Sequence, residues 1–265
     1  MRAALLVSIL MAACSTPGPA PTPPPFPGGE IVDLSHTYDA SAIYWPTAEG
    51  FKLRKDADGE TPSGYYYAAN SFFTSEHGGT HIDAPVHFAR GRQSVEQIPL
   101  QRLIGPAVVI DVAEQSGKNA DYQVTAEDIQ RFEREHGPLP ENVIVLLRTG
   151  FSKRWPDAAT YLGTVLRGEE GARQLHFPGL HPDAARWLVD NRRIGAIGID
   201  TASIDYGQST LFESHRTLYA RDIPAFENLA ALDRLPPTGA SIIALPMKIG
   251  GGSGAPLRAV AVLPR

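Results

Sequence analysis

Three short apolar runs do most to limit what this chain can fold into: AVVIDV at 107–112, VIVLL at 143–147 and IGAIGID at 194–200. Near-continuous runs of this kind leave little polar face for water, which is the pattern of strands covered on both sides of a sheet. Two segments between them carry helix signals. Thr125 opens TAEDIQRFEREHG, with Asp128 three positions on, Ile129 and Phe132 on one face and Gly137 to stop it. Pro182 starts PDAARWLVDNR, with Ala185, Leu188 and Val189 on one face. Further strands are predicted on either side: EIVDL at 30–34, YYYAANSFFT at 65–74, and SIIALPMKI (241–249) with LRAVAVLP (257–264) as a pair about a glycine-rich connection. No internal repeat is found. Strands, then strand–helix alternation, then strands again predict one α/β domain with mixed β-sheets and flanking helices. The 265 residues, 43% of them hydrophobic, suffice for one large core.

The folded body is expected to span 30–265. Residues 1–13, MRAALLVSILMAA, have the shape of an export signal, with Arg2 ahead of an apolar run at 3–11 that is too short to span a bilayer. Met11-Ala12-Ala13-Cys14 resembles the lipobox of bacterial lipoproteins, in which the cysteine is lipidated and becomes the new N-terminus. Ser15, in place of an aspartate, then favours the outer membrane. The other reading is a plain secretory signal with an incidental cysteine. Cys14 is the only cysteine, so an intramolecular disulfide is excluded. Residues 15–29 hold seven prolines and three glycines, and with Cys14 they read as an extended tether, 14–29. A formal charge of −5 without any long Lys/Arg block gives no footprint for nucleic acid.

The chemistry is concentrated in HGGTHIDAPVHF, 77–88, which gathers His77, His81, Asp83 and His87. Gly78, Gly79 and Pro85 oppose a helix, so a turn running into a strand is predicted. In a strand His81 and Asp83 share a side, and the glycines let the backbone bend so that His77 joins them. Imidazole and carboxylate ligands at close range suit Zn²⁺ or Mn²⁺. Taken singly, each of these histidines would pass for an ordinary loop residue.

The segment resembles the signature of the cyclase family, which includes bacterial kynurenine formamidases and isatin hydrolases. The pattern His-x-Gly-Thr-His-x-Asp-x-Pro-x-His is intact at His77, Gly79, Thr80, His81, Asp83, Pro85 and His87. The likeness runs from about Ile31 to Arg258 through YYYAAN (65–70), IPLQRLIGPAVVIDV (98–112), GIDTASID (198–205), SHRTLYARDIPAFENL (214–229) and ALPMKIGGGSGAPLRAV (244–260). It implies a single cyclase-like, swivelling β/β/α domain and a divalent metal, Mn²⁺ or Zn²⁺, on His77, His81 and Asp83. His87 beside it would act as acid/base or help a second ion. His215 and Glu227, twelve positions apart, match the residues that complete a second site in two-metal members, with Asp83 bridging. Gln208 and Ser209 match a Gln-Ser pair near the reacting groups in isatin hydrolases. A homodimer, with one subunit closing the other's pocket, is implied as well.

The implied reaction is hydrolysis of an amide C–N bond in an aromatic or cyclic substrate. The main alternative is an arylformamidase acting on N-formylkynurenine, and the alternative of another class is a non-catalytic metal- or ligand-binding lipoprotein. A flat substrate needs aromatic walls. Trp45, Phe151 and Trp155 are the candidates, whereas the rings of YYYAANSFF are expected mainly to fill a core. GGGSG at 250–254 lacks the Lys-Ser/Thr and the helix of a phosphate loop and reads as a tight turn or close backbone approach. No Gly-x-Ser-x-Gly elbow is present.

Overall fold

The computed structural model describes residues 28–264, so the expectations for residues 1–13, for Cys14 and for most of the tether lie outside the described residues. The strands in chain order are β1 (Ile31–Asp33), β2 (Lys52–Glu60), β3 (Tyr66–Phe73), β4 (His81–Asp83), β5 (Ile104–Asp111), β6 (Gln123–Val124), β7 (Ile144–Arg148), β8 (Gly179–Leu180), β9 (Ala196–Ile199), β10 (Ala225–Glu227), β11 (Ser241–Pro246) and β12 (Gly254–Val262).

The three apolar runs become β5, β7 and β9, side by side and parallel, with Val109 opposite Leu146 and Leu146 opposite Gly198. Parallel neighbours need crossovers, and these contain the helices Ala126–His136 and Pro182–Asn191. Thr125 caps the first: its hydroxyl accepts from Asp128 N at 3.2 Å, and Asp128 Oδ2 accepts from Thr125 N at 2.8 Å. A reciprocal cap of this kind stabilises by about 1 kcal/mol.

Antiparallel strands extend both sides. The order is β1-β12-β11-β5-β7-β9-β10-β4, and β12 also pairs β4, so seven strands close into a ring with β1 added on β12. Ile82, Val109, Leu146, Phe226, Ile242 and Ala259 belong to the core inside it. On the opposite face Val145 and Ile197 pack with Leu188 and Leu218 of the helices. The alternation along β4 therefore sends Ile82 into the inner core and leaves His81 and Asp83 facing the other way. Strand β4 lies between β10 and β12, with Glu227 opposite His81 and Gly254 opposite Asp83.

Strands β2 and β3 form a separate hairpin and pair only with each other among the described residues. Here the expectation for YYYAANSFF is overturned: Tyr66 is 61% and Phe72 55% exposed. The physical reason lies in β2. KLRKDADGE carries charges on both faces, so it supplies no apolar layer for the rings of β3 to pack on. Only the base is anchored, where Phe72 stacks on Phe51 at 5.9 Å.

Candidate metal centre

Close backbone approach explains the two glycines of the signature. Tyr44 packs so tightly on Gly78 that no Cβ fits there, and Gly79, at φ +58°, lies under the ring of Tyr38. Tyr38 Oη lies 2.8 Å from the carbonyl of Gly78 and 2.5 Å from that of Thr80 and shares its single hydrogen between them. Buried Thr80 donates to Asn228 O at 2.7 Å and accepts from His36 N at 2.8 Å. The bend is thus held from outside, with His77 before it and β4 after it. Pro85 then opens a single 3₁₀ turn, Pro85–His87, which folds His87 back until its ring stacks on His77 at 3.8 Å. The helix Glu213–Tyr219 delivers His215, and β10 delivers Glu227.

Asp83 is the hub. Its Oδ1 lies 2.7 Å from His77 Nδ1 and 3.2 Å from His81 Nε2. Its Oδ2 accepts from Tyr219 Oη at 2.9 Å and lies 3.4 Å from His215 Nε2 and 3.9 Å from His87 Nε2. Glu227 faces His81 Nε2 at 3.4 Å and His215 Nε2 at 3.2 Å, and accepts from Ile204 N at 2.7 Å. The second nitrogens are committed elsewhere. His81 Nδ1 is 2.9 Å from Gly79 O, and His215 Nδ1 is 2.5 Å from Asp205 Oδ2. A carbonyl or carboxylate can only accept, so each of those Nδ1 atoms carries a hydrogen, and in the neutral ring each Nε2 offers a lone pair.

Lone pairs aimed at carboxylate oxygens call for a cation between them. His81 Nε2 is accordingly buried without a hydrogen-bond partner. The ionisation pattern points the same way. Burial alone would raise Asp83, but His77, His215 and His81 hold its carboxyl well below the usual range. Burial and the charge of Asp83 push Glu227 up. Burial would lower His215, yet Asp205, Asp83 and Glu227 drive it well above the ordinary imidazole value. Two buried carboxylates at close quarters are costly unless positive charge compensates them. Ligand atoms of His77, Asp83 and His87 lie within 4.8 Å of one another, as do those of His81, Asp83 and Glu227. Asp83 belongs to both groups. The donor set of nitrogen and oxygen fits Zn²⁺ or Mn²⁺.

The Cyclase family model, described as "Putative cyclase", matches residues 32–206. This chain belongs to the cyclase family. The isatin hydrolase of Roseibium aggregatum is 34% identical over 83% of this chain and 82% of its own length. The kynurenine formamidase of Salinibacter ruber is 30% identical over 87% of this chain and 96% of its own. Among solved structures, isatin hydrolase A from Labrenzia aggregata bound to benzyl benzoate superposes with a TM-score of 0.80, at 35% identity over 89% of this chain and 94% of that one.

In this cyclase-family chain a cavity of about 290 Å³ opens beside the cluster. Trp45 lines it, as expected from sequence. Phe151 and Trp155 do not. Phe151 is wholly buried in a satellite core beneath Arg154, and Trp155 stacks on His36 at 4.2 Å and meets Tyr161 edge-on. Gln208 and Ser209 also stand off the lining: the Gln208 amide donates to Leu175 O, and Ser209 Oγ is 3.3 Å from Asp205. Ser209 therefore reaches the cluster only through Asp205 and His215. Sequence reasoning missed Phe88 and Phe212, which line the cavity with rings 5.1 Å apart. Phe212 sits at φ +48°, a left-handed conformation uncommon outside glycine, at the entry to the helix that carries His215. Phe88 closes the signature segment 77–88, beside His87, whereas nothing in the local sequence signals Phe212. Asp205 lay within a quoted motif, but its bond to His215 depends on a loop whose path spacing does not reveal.

Proposed function

We propose that this chain is a metal-dependent hydrolase that cleaves an amide C–N bond in an aromatic or cyclic substrate, in the manner of isatin hydrolases. One observation carries the reading: lone-pair nitrogens of His81 and His215 converge with His77 on two buried carboxylates at the wall of an aromatic cavity. In this reading His77, His81 and Asp83 would hold the ion, Mn²⁺ or Zn²⁺, with His215 and Glu227 beside them in support. A bound divalent ion supplies Lewis acidity, polarising a substrate carbonyl and lowering the pKa of water in the cavity. Trp45, Phe88 and Phe212 seat the ring of the substrate. His87 is the acid/base. Burial keeps its pKa down at about 4, so it is neutral at working pH and able to take a proton from water and pass it to the departing nitrogen.

The position of His215 and Glu227 supports a second reading, an arylformamidase with two ions acting on an acyclic aryl formamide. Turnover assays on metal-loaded protein separate the two: ring opening of isatin supports the first, and loss of N-formylkynurenine the second. No turnover of either, with metal bound, would leave a binding module. His87→Ala is expected to retain metal and lose activity by at least 100-fold, the scale of general acid–base catalysis. Loss of the metal instead would make His87 a ligand.

The assembly is a homodimer through the β2–β3 hairpin. An isolated hairpin is marginal in water and gains from a partner. Lys52 and Arg54 lie at one end of β2 and Asp58 and Glu60 at the other, so a second antiparallel copy on its free edge would set a basic end beside an acidic end. The N-terminal segment supports export and a lipid anchor at Cys14, which Cys14→Ser would remove; the variant should leave the membrane fraction.

A further inference from the structure

We propose that Ser253 and Glu76 are positioning residues that fix the tautomer of His77, making it a ligand rather than a hydrogen-bond donor to Asp83. The proposal rests on the metal reading above and gives a function to the glycine-rich segment 250–254.

That segment joins β11 to β12 and is drawn tightly onto the signature strand. Gly252 O accepts from Val95 N at 3.0 Å, and Ser253 O accepts from Ala84 N at 2.8 Å. At Gly254 a Cβ would stand 2.5 Å from His77 Cε1 and 2.8 Å from Ile82 O, so only glycine permits this approach. The approach places Ser253 Oγ 2.9 Å from His77 Nε2. The same hydroxyl is 2.7 Å from Glu76 Oε2, which also accepts from Ser253 N at 3.0 Å.

The direction of these bonds follows from counting hydrogens. The Glu76 carboxylate only accepts, and a serine hydroxyl has a single hydrogen to give. That hydrogen goes to Glu76, so toward His77 the serine oxygen is an acceptor. His77 Nε2 must then carry the hydrogen, which leaves a lone pair on Nδ1, 2.7 Å from Asp83 Oδ1. Remove the hydroxyl and the neutral ring is free to move its hydrogen to Nδ1 and donate to Asp83. A closed His77–Asp83 pair would hold both groups away from an ion. Histidine ligands elsewhere are oriented by an acceptor on the second nitrogen. Here the acceptor is a serine whose own direction is set by the glutamate next to His77 in sequence.

The test uses ¹⁵N-histidine NMR on metal-free protein, well above the ordinary imidazole pKa, together with Mn²⁺ titration by calorimetry. Wild type should show His77 as the Nε2–H form. Ser253→Ala should shift it toward Nδ1–H and weaken Mn²⁺ binding by 10- to 100-fold, the usual effect of removing such a support. Ser253→Thr, which keeps the hydroxyl, should stay close to wild type in both measurements. An unchanged Nε2–H form in Ser253→Ala, with affinity within twofold, overturns the proposal. If wild type bound no metal, the functional reading would fail, while the tautomer measurement would still decide the role of the serine.

Discussion

His215 is buried and His36 half-buried, and their surroundings drive the two imidazoles in opposite directions. Around His215 the carboxylates of Asp205, Asp83 and Glu227 outweigh burial and favour the proton. A divalent ion must displace that proton, so metal affinity should fall as pH drops, and binding in weakly buffered solution should release protons. Pipetting Mn²⁺ titrations across pH, in buffers of different ionisation enthalpy, measures both; affinity independent of pH would contradict the assignment. His36 stacks on Trp155, and burial lowers its pKa from 6.5 to about 4, with Asp33 only partly offsetting. A depressed folded value means that the unfolded chain takes up the proton first. This contribution is whole above pH 6.5 and is lost as pH falls toward about 4. His36→Phe keeps a ring on Trp155 without the titration. Its urea midpoint should hold up better than wild type between these limits, and parallel curves would refute the point.

At the level of elements, what was legible tracks how local the cause is. The parallel strands could be read because apolar runs between turns have few other uses. The helix after Thr125 could be read because its cap, Asp128, is three residues away. The bend at Gly78 and Gly79 has a local signal in its glycines, although the contacts that hold it come from Tyr38 and Tyr44. The strand at 65–74 was legible and became β3, but the exposure of its rings depends on the apolar layer that β2 lacks. Phe151 and Trp155 are pocket candidates because they lie in a loop region, but a ring in a loop looks the same whether it faces a ligand or a satellite core. Charge order along β2 gives the hairpin a test. Lys52→Glu should weaken dimerisation by bringing a like charge to the partner's acidic end, and adding Glu60→Lys should restore it. Sedimentation equilibrium reads both. A dimer indifferent to the single change, or a monomeric wild type, would exclude this edge.

Across the whole molecule, the candidate ligands come from a bend, a strand, a 3₁₀ turn, a helix and a neighbouring strand, so an ion would tie together parts far apart in the chain. An ion that binds only the folded state stabilises it by about 2.7 kcal/mol at one hundred times its Kd. For a domain of this size each kcal/mol moves Tm by roughly 2–4 °C. Chelation should therefore lower Tm by several degrees, recoverable with Mn²⁺ or Zn²⁺; a melting curve blind to EDTA and to added metal would contradict the centre.

The strand that seals the ring comes last in chain order among the described residues. His77 must await a serine 176 positions downstream before its ring is steadied, and β4 gains its second neighbour only when β12 arrives. A nascent chain can lay down the parallel strands and their helices well before that. Metal capture should accordingly be a late event in maturation, following synthesis of β12 rather than guiding the early collapse of the chain.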